Sequence, residues 1–176
     1  MIPQEGQTFM TSNEVDIIRR EAYKSYRLSD YIGTELVTLY NRKYRRTILN
    51  MDTLFQALQN ASINTMMIDF QGKGFEYQVR TMWTTTVLFS IHGAQLSNII
   101  FLRPNSTLIE VFNPRLNVIC YRDIAKMARI QYESIYDTVM EPSSIPTVIA
   151  GWQPYINVNV YLNVTDAVRI VQKYVS

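Results

Sequence analysis

Cationic side chains are concentrated in the segment 41–50 (NRKYRRTILN), where four of them fall within five positions. The segment directly follows an apolar run at 35–40 (ELVTLY), and Asn50 at its end is predicted to cap a helix through its side chain. Arg42 and Arg46 are suited to phosphate because a guanidinium group offers paired donors and keeps its charge. The helix after Asn50 would add unpaired backbone N–H groups. The segment is interpreted either as an anion-binding loop or as a solvated basic turn.

A second segment, 90–98 (SIHGAQLSN), contains the only histidine of the chain. His92 follows an apolar strand pattern and precedes Gly93 and Ala94, whose small size lets a ligand approach the backbone and the start of the next helix. An imidazole at this junction can donate a hydrogen bond to a phosphate or a sugar hydroxyl, and it can shuttle a proton near neutral pH. His92 is therefore the candidate catalytic residue. The alternative is that the His92 side chain only forms hydrogen bonds with backbone groups at the turn and has no catalytic role.

A third candidate is Glu110, which stands inside the otherwise apolar segment 107–112 (TLIEVF). A carboxylate buried in such a strand is costly unless it is paired or reaches a ligand. Glu110 is expected either to bind ribose hydroxyls or to pair with a nearby arginine.

Other residue types argue against several classes of protein. The chain has one cysteine, no Cys/His cluster with zinc-ligand spacing, no P-loop lysine motif and no Gly-x-Ser-x-Gly motif. A net charge of +2 is too small to indicate nucleic acid as a partner. No apolar stretch has the length of a membrane span, and no signal peptide is visible. We therefore predict no metal site, no nucleic-acid partner and no membrane span.

These candidate residues lie in a chain that alternates strands with helices. Strands are predicted at 35–40, 63–69, 86–91, 107–112 and 130–134, and helices at 50–59, 75–83, 92–101 and 121–128. Strict alternation with nearly continuous apolar strands predicts an α/β fold, a Rossmann-like parallel sheet with helices on both faces. The crevice at the carboxyl ends of the strands, where such folds bind ligands, would then hold Arg42, Arg46 and His92.

The predicted domain organisation has three parts. Residues 1–34 form a helical lead-in whose helix, at 13–26, is expected to brace the edge of the sheet. Residues 35–140 form the Rossmann-like core, which carries the candidate ligand-binding residues. Residues 141–176 add a loop, a strand at 157–162 and a C-terminal helix to the same domain. A second complete domain does not fit within 176 residues.

Taken in order, these segments resemble the glycosyltransferase family that includes plant β-1,2-xylosyltransferase, arabinoxylan xylosyl- and arabinosyltransferases, and animal O-linked GlcNAc transferases, the family 61 type. The family shows an Arg-x-x-x-Arg-x-x-x-Asn pattern, a Phe/Glu/Gln segment, a His-Gly-Ala-Gly-Leu-Thr-Asn helix start, a Phe-Leu-x-Pro run and a strand with an internal Glu. This chain meets these patterns in order over residues 35–135, with His-Gly-Ala-Gln-Leu-Ser-Asn at the helix start. The matching residues are Arg42, Arg46, Asn50, Phe75, Glu76, Gln78, His92, Gly93, Ala94, Leu96, Asn98, Phe101, Leu102, Pro104 and Glu110.

The resemblance implies the C-terminal, donor-binding half of an inverting two-domain glycosyltransferase of the GT-B type. Arg42 and Arg46 would meet the diphosphate of a nucleotide sugar, expected to be UDP-linked, and His92 would lie against phosphate or sugar. The other implied nucleotide-sugar-binding residues are Asn50, Gly93, Ala94, Asn98 and Glu110. No cofactor is implied beyond the donor substrate.

Two positions depart from the family pattern. Gln95 replaces a glycine and would either crowd the ligand or add an amide contact, and Tyr77 stands where a second acidic residue is usual. Both leave the sugar preference open.

The implied partners are a nucleotide sugar, a glycan or glycoprotein acceptor, and either a further N-terminal domain or a second copy of the chain. The alternative to transferase activity is a non-catalytic nucleotide-sugar-binding or interaction domain without the acceptor half. The sequence predicts a cytoplasmic location if the chain is complete and a lumenal one if it is part of a longer family member.

Overall fold

A five-stranded parallel sheet forms the centre of the protein. The computed structural model describes residues 10–29, 33–43, 45–116, 118–145 and 157–175. The strands are β1 (Val37–Tyr40), β2 (Thr65–Ile68), β3 (Val87–Ile91), β4 (Thr107–Val111) and β5 (Gln131–Ile135), in the spatial order β2-β1-β3-β4-β5. Every residue of β1, β3 and β4 is buried, as expected for strands covered on both faces.

Helices cover both faces of this sheet. They are α1 (Ser12–Ser25), α2 (Met51–Asn60), α3 (Phe75–Thr84), α4 (Cys120–Ala128) and α5 (Val164–Gln172), together with a long 3₁₀ helix, Ala94–Phe101. Alternate strand residues pack into two cores. Leu88 and Leu108 face α1, α3, α4 and the 3₁₀ helix, whereas Phe89 and Ile109 face α2 and α5. The predicted Rossmann-like α/β fold is confirmed.

The direction in which successive strands are added across the sheet reverses between β1 and β3, and this place is the reversal point of the sheet. The connection from β1 through α2 leads outward to β2 on one face, and α3 then returns on the other face to place β3 beside β1. Successive connections continue on that second face to β4 and β5. The carboxyl ends of β1 and β3 therefore border the crevice in which parallel α/β sheets bind ligands.

The segment predicted as a helix at 92–101 is a 3₁₀ helix. Leu96, Ile99 and Leu102 recur every third residue and are all buried, which matches the three residues per turn of this helix type. The backbone N–H of Leu96 donates to the carbonyl of Gly93, three residues earlier.

The first helix begins with a capping box in which Thr11 and Glu14 bond each other's backbone N–H groups. It packs on α4 and the long 3₁₀ helix, and its bracing of the sheet edge stays a prediction. Arg19 is buried there and donates to the carbonyls of Ile100 and Ala128, near the ends of those two helices.

A small antiparallel ribbon, which the sequence analysis predicted only in part, lies next to the main sheet. It pairs β6 (Thr138–Met140) with β7 (Val160–Leu162), the latter within the predicted strand 157–162. β7 also bridges Ile48 through Val160. Of the loop predicted at 141–154, residues up to 145 include a short 3₁₀ turn, Pro142–Ser144, and the rest lie outside the described residues.

Candidate functional site

The arginine loop and the histidine turn meet at the crevice between β1 and β3. These strands pair Tyr40 with Ser90, so that Arg42 and His92, each two residues further on, occupy matching positions beyond the strand ends. The geometry places two segments that are fifty residues apart in the sequence side by side at the reversal point of the sheet.

Arg42 lies directly against the backbone of Gly93. A Cβ atom at position 93 would come within 2.7 Å of Nη1 of Arg42, closer than non-bonded atoms approach. The φ of Gly93 is 173°, an extended value that any residue adopts. The absence of a side chain at Gly93 therefore leaves a space that the guanidinium group of Arg42 fills.

Arg46 completes a pair of cations with Arg42. Its Nη1 donates to the carbonyl of His92 at 3.2 Å, while its buried Nε has no hydrogen-bond partner among the described residues. Its φ of 52° is left-handed, a conformation that costs a non-glycine residue about 1–2 kcal/mol. Burial, and then the neighbouring charge of Arg42, lower the pKa of Arg46. Burial and the charge of Arg42 both disfavour the charged form of Arg46, and a bound anion would favour that form by offsetting the two like charges.

Polar side chains hold the arginine loop in this position. The Asn41 amide donates to the carbonyl of Ile48 at 2.9 Å, and its oxygen accepts from the backbone N–H groups of Arg42 and Ile48. Lys43 pairs with Asp69, just beyond the end of β2, at 2.8 Å. The Lys43 ammonium group holds the pKa of the Asp69 carboxyl below its usual range. These bonds anchor the loop at the carboxyl ends of β1 and β2, and the choice between anion-binding loop and solvated basic turn stays a prediction.

His92 is fixed by a buried hydrogen-bond chain. Its Nδ1 bonds Oε1 of Glu110 at 2.6 Å, and the hydroxyl of Tyr132 donates to Oε2 of the same carboxylate at 2.7 Å. A carboxylate only accepts, so Nδ1 carries the proton. Burial, and then the charge of Glu110, raise the pKa of Tyr132, which keeps its hydroxyl a donor.

The imidazole ring lies between two aromatic side chains. Phe112 stacks on it with a centroid separation of 5.2 Å, and Tyr121 is tilted against it at 5.3 Å. Because Nδ1 is held by the carboxylate, Nε2 is the ring nitrogen that takes no part in this hydrogen-bond chain. The pattern is that of a histidine oriented by a carboxylate for work at its other nitrogen.

Glu110 is bonded to His92 and Tyr132 instead of to an arginine. Pairing with an arginine was wrong, because both carboxylate oxygens accept hydrogen bonds from His92 and Tyr132. The residue is fully buried, with 0% of its surface exposed. Direct contact with ribose stays a prediction, whereas the observed contacts make Glu110 a positioning residue for His92.

The remaining predicted ligand residues have other contacts. The Asn50 amide exchanges two hydrogen bonds with the backbone of Leu162, both 2.9 Å long, and makes no side-chain cap for α2, so the predicted capping bond was wrong. Asn98 donates to the side chain of Gln78 at 2.7 Å. Ala94 is exposed at the start of the 3₁₀ helix. The structure thus gathers Arg42, Arg46, Gly93, His92 and Glu110, while the ligand-binding roles of all the predicted residues stay predictions.

Sequence reasoning missed Tyr121, which lies beside His92 on the first turn of α4. Its position at the beginning of the predicted helix 121–128 was the only available signal, and it indicates no chemistry. Within the described ranges, no group of three or more His, Cys, Asp and Glu side chains is arranged to hold a metal ion. Over the same part of the chain, no helix combines the length and apolar character that crossing a membrane requires.

A parallel α/β sheet with paired arginines at its reversal point defines a class of domains that bind ligands at the carboxyl edge of the sheet. A sequence model described as Glycosyltransferase 61 matches residues 1–109, more than half of the chain. The chain therefore belongs to glycosyltransferase family 61, and the resemblance drawn from its motifs is confirmed.

Two kinds of relative are similar to part of this chain. The dog protein O-linked-mannose β-1,4-N-acetylglucosaminyltransferase 2 is 32% identical over 87 residues, which cover 49% of this chain and 15% of the relative. The human protein of the same name shows the same identity and coverage. The mouse EGF domain-specific O-linked N-acetylglucosamine transferase is 32% identical over 105 residues, or 57% of this chain and 20% of the relative. The matched segment thus spans a fifth or less of the length of these relatives.

Proposed function

We propose that this chain is the nucleotide-sugar-binding part of an inverting glycosyltransferase of the GT-B type, with a UDP-linked sugar as the donor. The observation that carries the proposal is the pair of guanidinium groups at the reversal point of the sheet, one resting on Gly93 and the other bonded to the carbonyl of His92. Two like charges held at a crevice favour a ligand that carries at least two negative charges, and a diphosphate meets this requirement.

The proposed chemistry is displacement of the diphosphate from the donor sugar. The acceptor oxygen bonds to the anomeric carbon while the bond from that carbon to the diphosphate oxygen breaks. The electron pair stays on the diphosphate, and Arg42 and Arg46 offset the growing charge because they are already oriented. His92 offers Nε2 to a phosphate or sugar oxygen, with Glu110 and Tyr132 holding its ring.

The acceptor proton requires a base, which we assign to the acceptor-binding half that the family resemblance implies. The names of the relatives describe transfer of N-acetylglucosamine to protein O-linked mannose and to EGF domains. By analogy we propose a glycan or protein acceptor for this chain. No metal enters the proposed reaction.

Calorimetric titration with UDP, GDP and inorganic pyrophosphate tests the proposal. The wild-type chain should bind UDP and pyrophosphate, with the same affinity in EDTA. Arg46→Ala should weaken both by about tenfold to a hundredfold, since hydrogen bonds to charged groups contribute about 1.5–3 kcal/mol. Arg20→Ala is the matched control, because this arginine lies on α1 with a largely exposed side chain.

Two outcomes would redirect the proposal. Absence of binding by the folded wild-type chain to every nucleotide and to pyrophosphate would refute donor binding. Binding without sugar transfer to any member of an acceptor panel would select the non-catalytic binding domain for the isolated chain.

A further inference from the structure

Tyr121 has a buried ring, whereas its hydroxyl keeps contact with solvent and forms no hydrogen bond with another described residue. The residue as a whole is 8% exposed, and its ring belongs to the core on the α4 side of the sheet. A tyrosine that is apolar at its ring and solvated at its hydroxyl can offer that hydroxyl to a ligand without breaking an internal bond. The neighbouring tyrosine of the site, Tyr132, differs in this respect, because its hydroxyl donates to Glu110.

The Tyr121 ring borders the crevice at His92. It is tilted against the His92 imidazole at a centroid distance of 5.3 Å. Burial and the charges of Cys120 and Glu110 raise the pKa of Tyr121, while the charges of Arg46 and Arg42 act to lower it. Both guanidinium groups are therefore within electrostatic reach of the Tyr121 hydroxyl.

We propose that the Tyr121 hydroxyl is a further ligand-binding group of the crevice and donates a hydrogen bond to an oxygen of the diphosphate held by Arg42 and Arg46. This inference rests on the proposed function and extends it to a residue outside the segment 1–109 that matches the family.

A phenol suits this place for an electrostatic reason. A third cation would add to the repulsion that already lowers the pKa of Arg46, whereas a neutral hydroxyl donates without adding charge. Burial raises the pKa of Tyr121 to about 12, so the group remains a protonated donor throughout the neutral range.

Tyr121→Phe tests the hydroxyl alone, because it keeps the ring that packs on His92. Titrations with UDP and with inorganic pyrophosphate, below the unfolding temperature of each protein, should both show affinity lowered by about tenfold to a hundredfold. The melting temperature without ligand should stay close to that of the wild type, since the removed hydroxyl forms no hydrogen bond with another described residue. Tyr136→Phe is the matched control: it removes the hydroxyl of an exposed tyrosine that stacks on Phe112, and its affinities should equal those of the wild type.

Tyr121→Leu separates the hydroxyl from the ring. If Tyr121→Phe binds both ligands like the wild type while Tyr121→Leu binds weakly, the ring alone matters and the inference is overturned. Wild-type affinity in both variants overturns it as well. If the wild-type chain binds neither UDP nor pyrophosphate, the proposed function fails together with this inference, and that result differs from either of the preceding ones.

Discussion

Replacing Gly93 by alanine should separate the binding role of the crevice from its structural role. The added Cβ would lie 2.7 Å from Nη1 of Arg42, and the nearest other atoms, Cδ and Cζ of the same side chain, lie at 3.6 and 3.7 Å. No backbone atom is so close. The guanidinium group stands at the end of a flexible side chain, so it can turn away while the backbone stays in place.

The expected effect on stability is small. Alanine in an extended backbone lowers the entropy of the unfolded chain and stabilises by about 0.4–1 kcal/mol. Moving Arg42 out of its preferred rotamer costs about 0.5–1.5 kcal/mol. The two effects oppose each other, so the free energy of unfolding should change by less than about 1 kcal/mol, which is about 2–4 °C in melting temperature for a chain of this size.

The expected effect on binding is large. A displaced guanidinium forfeits a charge-assisted hydrogen bond of about 1.5–3 kcal/mol, which corresponds to a dissociation constant about 10- to 150-fold higher. Calorimetry with UDP and pyrophosphate measures this loss. Gly74→Ala is the matched control, because a Cβ at Gly74 meets no atom within 4 Å.

A double-mutant cycle with Arg42→Ala identifies the cause of the loss. Once the guanidinium is absent, Gly93→Ala should weaken binding no further. An equal loss in both backgrounds would refute the reasoning, since the alanine would then act on the ligand or the backbone directly. Wild-type affinity in the single variant, or a fall of more than about 10 °C in melting temperature, would refute it too.

Three further predictions concern the support of the site and the core. Glu110→Gln should lower the free energy of unfolding by about 1–3 kcal/mol in urea titrations, because an amide cannot accept from His92 and Tyr132 at once; wild-type stability would contradict the buried chain. Asn50→Ala should cost a similar amount by removing two bonds to Leu162, and its crystal structure should show β7 displaced. Burial raises the pKa of Tyr23 to about 12, so the folded state favours the neutral phenol. The contribution of Tyr23 to the free energy of unfolding is therefore complete below pH 10. It is lost as the pH rises from 10 to 12, by up to about 1.4 kcal/mol per pH unit. The stability difference between the wild type and Tyr23→Phe should therefore shrink above pH 10, and a constant difference up to pH 12 would contradict this assignment.

The parallel sheet was predictable because its signal is local. The five main strands are short apolar runs separated by amphipathic segments, and each lies within two residues of its predicted bounds. Apolar spacing alone did not determine the type of helix in Ala94–Phe101, because buried residues at every third position fit a 3₁₀ helix and one face of an α-helix alike. β6 escaped prediction because three residues carry too little pattern.

Sequence by itself determined which residues could bind an anion, since residue type decides charge and donor geometry, and it determined their order along the chain. Only the tertiary structure decided their partners. In the structure Arg42 lies against Gly93, and Glu110 bonds His92 and Tyr132. Asn50 bonds the backbone of Leu162, and the Tyr121 ring contacts His92 at the crevice. These contacts join residues far apart in the chain, and they depend on strand order and register, which no local pattern of residues encodes.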